Sequence, residues 1–158
     1  DPLRTRFPLS KLYDDILLDH IRNARNYREM ADADRRGEST NPLCGDTFSV
    51  FVRIEDGRLA DVSFQCECCG ISMASASVMT GWVRGRTVAE ARALQKRFVE
   101  ALQAREDTLG GDAPPDHEAV MRVVKATPAR EGCAAMAWRA LEAALPDAAD
   151  APGPDPTA

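Results

Sequence analysis

Two runs of alternating apolar residues, joined by Asp56-Gly57, constrain this chain more than any other feature. Phe48, Val50, Val52 and Ile54 alternate with Ser49, Phe51, Arg53 and Glu55. That is the period of a strand with one buried face. Glu55-Asp-Gly-Arg58 supplies the turn residues of a tight hairpin. The return run sets Ala60, Val62, Phe64, Cys66 and Cys68 on one face and Asp61, Ser63, Gln65 and Glu67 on the other. Cys69 breaks the alternation, so the strand is expected to end there. A hairpin is not stable alone and must lay its apolar face on a partner.

The partners are helices. Ser10 is placed to cap a helix reaching about Asn23, with Leu12, Tyr13, Ile16, Leu17 and Ile21 on one face. A second helix, rich in Ala and Ser, spans Gly70 to about Arg84, with Ile71, Ala74, Val78 and Trp82 on one side. Thr87-Val-Ala-Glu90 is a capping box. It opens a third helix with Ala91, Leu94, Phe98 and Leu102 as its stripe. A short helix is predicted from Glu118 to Val124, and Lys125 to Arg130 is a proline-containing connector. Cys133 opens the last helix, with Ala134, Trp138, Leu141 and Leu145 facing inward.

The fold class is therefore α+β, a small antiparallel sheet packed against several helices. Residues 1–9 read as a flexible N-terminus, 10–146 as a single domain and 147–158 as a disordered tail. The polar stretch Ala24 to Thr40 reads as a mobile loop, and Asp107 to Asp116 as a second loop. His20 reads as a core-edge histidine and His117 as a solvated one.

Charge and cysteine content narrow the function. A net charge of −5 with interspersed acids and bases disfavours nucleic acid and anionic membranes as partners. No apolar run approaches the roughly 18 residues of a membrane span. Five cysteines, three of them crowded at Cys66, Cys68 and Cys69, form a poor disulfide framework. Reduced thiols in a cytoplasmic setting, serving metal or sulfur chemistry, are expected instead.

Four residues stand at special backbone positions. Cys44 and Asp46 flank Gly45 in Asn41-Pro-Leu-Cys-Gly-Asp46, where glycine permits a tight fold. Cys69 and Cys133 stand at helix starts, where unpaired N–H groups favour a thiolate. Three thiolates and a carboxylate suit tetrahedral zinc or a [2Fe–2S] cluster. Spacing alone leaves a metal site and ordinary buried thiols both open. A zinc hydrolase would need a nearby base, and Glu67 is the one neighbour, without any His-x-Glu motif. A dithiol redox protein using Cys66 and Cys68 is a further possibility.

Several motifs then agree in order along the chain. Leu12-Tyr…Asp19-His20…Asn23-Ala-Arg-Asn26, Asn41-Pro-Leu-Cys-Gly-Asp46, Cys69-Gly-Ile-Ser-Met-Ala-Ser-Ala-Ser77 and Pro128-Ala-Arg-Glu-Gly-Cys133…Trp138 resemble the SufU branch of the IscU-like family. Gly132, where IscU scaffolds carry histidine, and the long segment through Asp107 to Asp116 point to that branch. The resemblance implies a zinc-dependent sulfur acceptor that works with a SufS-type, PLP-dependent cysteine desulfurase rather than as a stand-alone enzyme. It implies Cys44, Asp46, Cys69 and Cys133 as zinc ligands and Cys44 as persulfide acceptor. Cluster scaffold proteins are implied as further partners, and Arg130 as a docking or supporting residue. The alternative it implies is a scaffold that assembles a [2Fe–2S] cluster. The family pattern Gly-x-Gly-Cys is replaced here by Cys66-Glu-Cys-Cys69. Either Cys66 is core filler and Cys68 a tolerated replacement, or Cys68, with Cys66, is an auxiliary thiol that relays sulfur or alters which metal or cluster is held.

Overall fold

The computed structural model describes residues 15–41, 45–106, 109, 113 and 115–146. Ser10, Leu12, Tyr13, Cys44, the 1–9 segment and the 147–158 tail lie outside the described residues. The expected α+β architecture is present. Helix α1 (Asp15–Arg22) precedes strands β1 (Arg35–Asn41), β2 (Asp46–Glu55) and β3 (Arg58–Glu67). Helices α2 (Gly70–Val83), α3 (Val88–Gln103), α4 (His117–Ala126) and α5 (Glu131–Ala144) follow, with a 3-10 turn at Pro128–Arg130 before α5. The three strands form one antiparallel sheet in the order β1-β2-β3.

The hairpin forms because Asp56 and Gly57 both adopt positive φ, 52° and 72°, as a two-residue turn between twisted strands requires. Its register shifts beside Arg53, which pairs with Asp61, while Ile54 pairs with Leu59. Ala60 is the extra residue of this bulge. The bulge moves the buried position from Ala60, where strict alternation put it, to Leu59, which is fully buried. Beyond it Val62 and Phe64 meet Val52 and Val50 across the sheet, and all four are fully buried. Phe51, on the opposite face, is covered by the Arg36 guanidinium, 5.2 Å from the ring centre.

The stretch from Ala24 to Thr40 is not a mobile loop. Phe64 N–H donates to the Asn26 carbonyl and Arg28 N–H to the Phe64 carbonyl, each at 3.0 Å, so this segment lines the outer edge of β3. Arg35–Asn41 then pairs with β2 residue by residue. The strand was hidden because its inward positions carry almost no apolar side chains. A Cβ at Gly37 would lie 2.1 Å from the Ala140 carbonyl oxygen and 2.4 Å from the Ala144 nitrogen. The α5 backbone therefore takes the space that a valine fills in an ordinary strand. Ser39 and Arg35 tie the same contact by donating to the Met136 and Ala144 carbonyls at 2.7 and 2.8 Å.

Away from the sheet, an aromatic cluster joins the helices. Phe98 of α3 stacks on Trp138 of α5 at 4.5 Å, and Trp82 of α2 stands edge-on to both. His117 belongs to this cluster rather than to a solvated loop. It is 1% exposed, packs on Trp82 and Phe98 and accepts the Leu109 N–H at 3.0 Å. Burial is tolerated because its polar ring atom has a backbone partner. His20 is buried at the α1–α2 junction. Its Nδ1 lies 2.7 Å from Ser77 Oγ and its Nε2 2.7 Å from Asp116 Oδ2, so the residue read as core-edge is a buried link between α1, α2 and the start of α4. No helix among the described residues is long and apolar enough to cross a membrane.

Candidate metal centre

Three of the four expected ligands converge at one end of the sheet. Asp46 is the first residue of β2, Cys69 immediately precedes α2, and Cys133 lies in the first turn of α5. The hairpin register carries Asp46 toward the end of β3, since Thr47 pairs with Glu67. The chain then leaves the sheet and enters α2 at Cys69. Helix α5 brings Cys133 back over the same end. One carboxylate oxygen and the two sulfurs all lie within 4.8 Å of one another. A tetrahedral zinc site sets such donors roughly 3.5–3.8 Å apart, inside the 4.8 Å within which these atoms lie. Two soft sulfurs and one harder oxygen fit zinc. The start of α2 and the first turn of α5 supply partial positive charge against the anionic donors.

Cys44, the fourth expected ligand, lies outside the described residues. Its flanks are fixed: Asn41 pairs with Asp46, and Gly45 N–H donates to the Asn41 carbonyl at 2.8 Å. Gly45 has φ +74°, which confirms that this turn needs a glycine.

Ser72 is the residue that sequence reasoning missed. It is fully buried one turn into α2. Its Oγ lies 3.0 Å from the Cys133 carbonyl, 3.5 Å from Asp46 Oδ2 and 3.4 Å from Cys69 Sγ. A hydroxyl has one proton to give, and the short contact to Cys133 is the best place for it. The hydroxyl thereby ties α2 to the α5 turn that carries Cys133, and lies beside Asp46 and Cys69. Cys69 N–H adds a contact of 3.4 Å to Asp46 Oδ2. Its sequence signals were its place in the Cys69–Ser77 motif and the run of small residues in α2, which reads equally well as close helix packing. Ser75, one turn away from the site's floor, donates to the Ala134 carbonyl at 2.6 Å and accepts from Trp138 Nε1 at 3.2 Å. It anchors the α5 turn that carries Cys133.

Among the described residues, the centre is open on one side. Cys69 and Asp46 are half-buried, whereas Cys133 is 6% exposed. Arg130 is exposed on the 3-10 turn leading to Cys133, and Glu67 is exposed beside the site.

The two remaining thiols correct the sequence reading. Cys66 and Cys68 are joined in a disulfide, with their Cα atoms 5.5 Å apart, while Cys69 and Cys133 are not. Alternate residues of an extended segment project from the same face. A spacing of two therefore brings these sulfurs together, although the crowded, odd-numbered set suggested reduced thiols. Cys66 is half-buried against the core rather than fully inside it.

Comparison with known proteins gives a consistent result. The family described as NifU-like N terminal domain matches residues 12–150. The zinc-dependent sulfurtransferase SufU of Bacillus subtilis is 36% identical over 134 residues, 85% of this chain and 89% of that protein. The iron–sulfur cluster assembly scaffold protein IscU of Streptococcus pyogenes is 32% identical over 143 residues, 90% of this chain and 88% of its own. Among solved structures, the SUF-system scaffold-like protein of Fervidobacterium islandicum AW-1 superposes with a TM-score of 0.75 at 25% identity. That match covers 87% of this chain and 98% of the other.

Proposed function

We propose that this chain, which belongs to the NifU-like N-terminal domain family, accepts persulfide sulfur from a SufS-type cysteine desulfurase and passes it on for iron–sulfur cluster assembly. The observation that carries this reading is the convergence of Asp46, Cys69 and Cys133 within 4.8 Å. Zinc would be held by these three and Cys44. When bound, it supplies the Lewis acidity that keeps thiols deprotonated at neutral pH.

Cys44 is the acceptor. Its thiolate attacks the terminal sulfur of the desulfurase persulfide. The donor S–S bond breaks as a new S–S bond forms on Cys44. The proton stays on the terminal sulfur, and the donor cysteine leaves as a thiolate, the good leaving group of such exchanges. Asp46 is the harder and weaker ligand, and its carboxylate is oriented by the Cys69 N–H. Cys133 is the sheltered anchor, and half-buried Cys69 borders the open side. Arg130, exposed ahead of Cys133, is a docking residue for the desulfurase.

A second reading is a scaffold on which a [2Fe–2S] cluster is built. It is favoured by the same donor set, which suits iron as well as zinc, and by the similarity to IscU over most of the chain. Metal analysis combined with persulfide transfer separates the two. Stoichiometric zinc without a visible chromophore, with sulfur transfer lost in Cys44→Ala, is the expected result. A coloured protein containing iron and acid-labile sulfide would replace this reading with the scaffold. Normal sulfur acceptance by Cys44→Ala would overturn the acceptor assignment.

A further inference from the structure

The geometry points to a second activity beside the metal centre: we propose that Cys66 and Cys68 form a built-in dithiol that reduces accepted sulfane sulfur to sulfide. This rests on the persulfide-acceptor reading above. Persulfide sulfur is neutral, whereas a cluster contains sulfide, so each sulfur atom must gain an electron pair before it is used.

Three observations carry the inference. The pair is already matched, because the two residues form a disulfide across Cα atoms 5.5 Å apart. It is placed at the site, because the peptide linking Cys68 to Cys69 directs its N–H at Asp46 Oδ2, 3.4 Å away. It is reachable, because both residues are half-buried rather than buried. A structural role explains little: this bond closes a loop of separation two, which removes little entropy from the unfolded chain.

The two cysteines differ in how the backbone holds them, and this sets their roles. Cys66 is held by the ladder opposite Phe48, and its carbonyl accepts from the Tyr27 hydroxyl at 3.1 Å. Cys68 lies past the end of β3 at Glu67, next to the ligand Cys69. Cys68 thiolate takes the terminal sulfur from the incoming persulfide, releasing the carrier cysteine as a thiolate. Cys66 thiolate then attacks Cys68 Sγ. The bond from that atom to the outer sulfur breaks, and the outer sulfur departs with the electron pair as hydrosulfide. A Cys66–Cys68 disulfide remains. Two thiols are oxidised and one sulfane sulfur is reduced. An external dithiol reductant returns the pair to its starting state.

The test uses the full chain, pre-reduced and freed of reductant, in two arms. One arm supplies sulfur from a SufS-type desulfurase with cysteine, the other from glutathione persulfide. Released sulfide is measured, and peptide mapping by mass spectrometry reads added sulfur and the state of Cys66 and Cys68. Expected for the wild type in both arms is one sulfide for each Cys66–Cys68 disulfide formed. In Cys66→Ser the added sulfur stays on the protein, and early sulfide release falls at least about tenfold until dithiothreitol is added. Cys68→Ser shows the same fall. Circular dichroism and metal content matching the wild type exclude a folding defect in either variant, and Cys66→Ala replaces a variant that fails this check. Sulfur that accumulates on the wild type while Cys66 and Cys68 stay reduced overturns the dithiol but keeps the acceptor reading. No sulfur acceptance from the desulfurase, with disulfide and sulfide still formed from glutathione persulfide, overturns the acceptor reading and keeps the dithiol.

Discussion

Two helix starts in this molecule are built in opposite ways. At α3, Thr87 and Glu90 satisfy each other's backbone: Glu90 N–H donates to Thr87 Oγ1 at 3.1 Å and Thr87 N–H to Glu90 Oε1 at 3.0 Å. At α2, Cys69 occupies the same position and makes no capping hydrogen bond with its side chain. Its N–H instead faces Asp46. The α3 start is closed by its own capping box and by the Gly57 carbonyl of the hairpin, which accepts the Val88 N–H at 3.0 Å, and it serves the fold. The α2 start leaves its polarity directed at a group contributed by another strand, as anion-binding helix ends do. A helix end that is closed by its own residues stabilises; one that is left to a distant carboxylate and thiol organises a site.

Substitutions at the candidate centre and at the α3 start should part stability from metal binding. Cys133→Ser removes a thiolate donor and should lower zinc affinity by about 100-fold or more, beyond what loss of a supporting hydrogen bond costs. Competition with a chromophoric chelator measures this. Little change in affinity would mean that Cys133 is not a ligand. Ser72→Ala should weaken zinc by about 10-fold while the helices persist, because a group that orients ligands, rather than a ligand, is lost. If its melting temperature falls but chelator competition is unchanged, Ser72 belongs with the packing residues. Thr87→Ala should lower stability by about 1 kcal/mol in denaturant unfolding and leave the zinc content alone. A change in zinc content there would erase the contrast between the two ends.

The smallest effect concerns pH. The Thr87 backbone N–H first, and then its hydroxyl, hold the Glu90 carboxyl below its ordinary value of 4.5. A carboxyl depressed by folding stabilises above its unfolded value and loses that contribution as pH falls through its folded value. Stability of the wild type should therefore decline slightly below pH 4.5 through this group, and Glu90→Gln should flatten that part of the profile. Glu90 is largely solvent-facing, so the effect is small. Unfolding midpoints of both proteins across that range would reveal it. An unchanged slope in Glu90→Gln would assign the decline to other carboxyls.

Local patterns carried much of the fold. The Asp56-Gly57 hairpin, the Thr87–Glu90 capping box and the stripes of α3 and α5 depend on residues close in sequence, so period and turn chemistry were enough. The placements of Cys69 and Cys133 at helix starts were legible for the same reason. Strand β1 was not, because its inward position is Gly37, chosen by an α5 backbone that is distant in sequence. Nor was the burial of His117, since its aromatic neighbours Trp82 and Phe98 come from two other helices.

The sequence by itself determined which residues could serve as ligands and that the chain would make a hairpin covered by helices. Only the tertiary structure decided that Asp46, Cys69 and Cys133 meet, because their convergence depends on the end of β3 and the return of α5 rather than on any spacing. The tertiary structure also gave Ser72 its place between them and paired Cys66 with Cys68. A serine among small residues, and two thiols of three, look alike in sequence until packing fixes what each one faces.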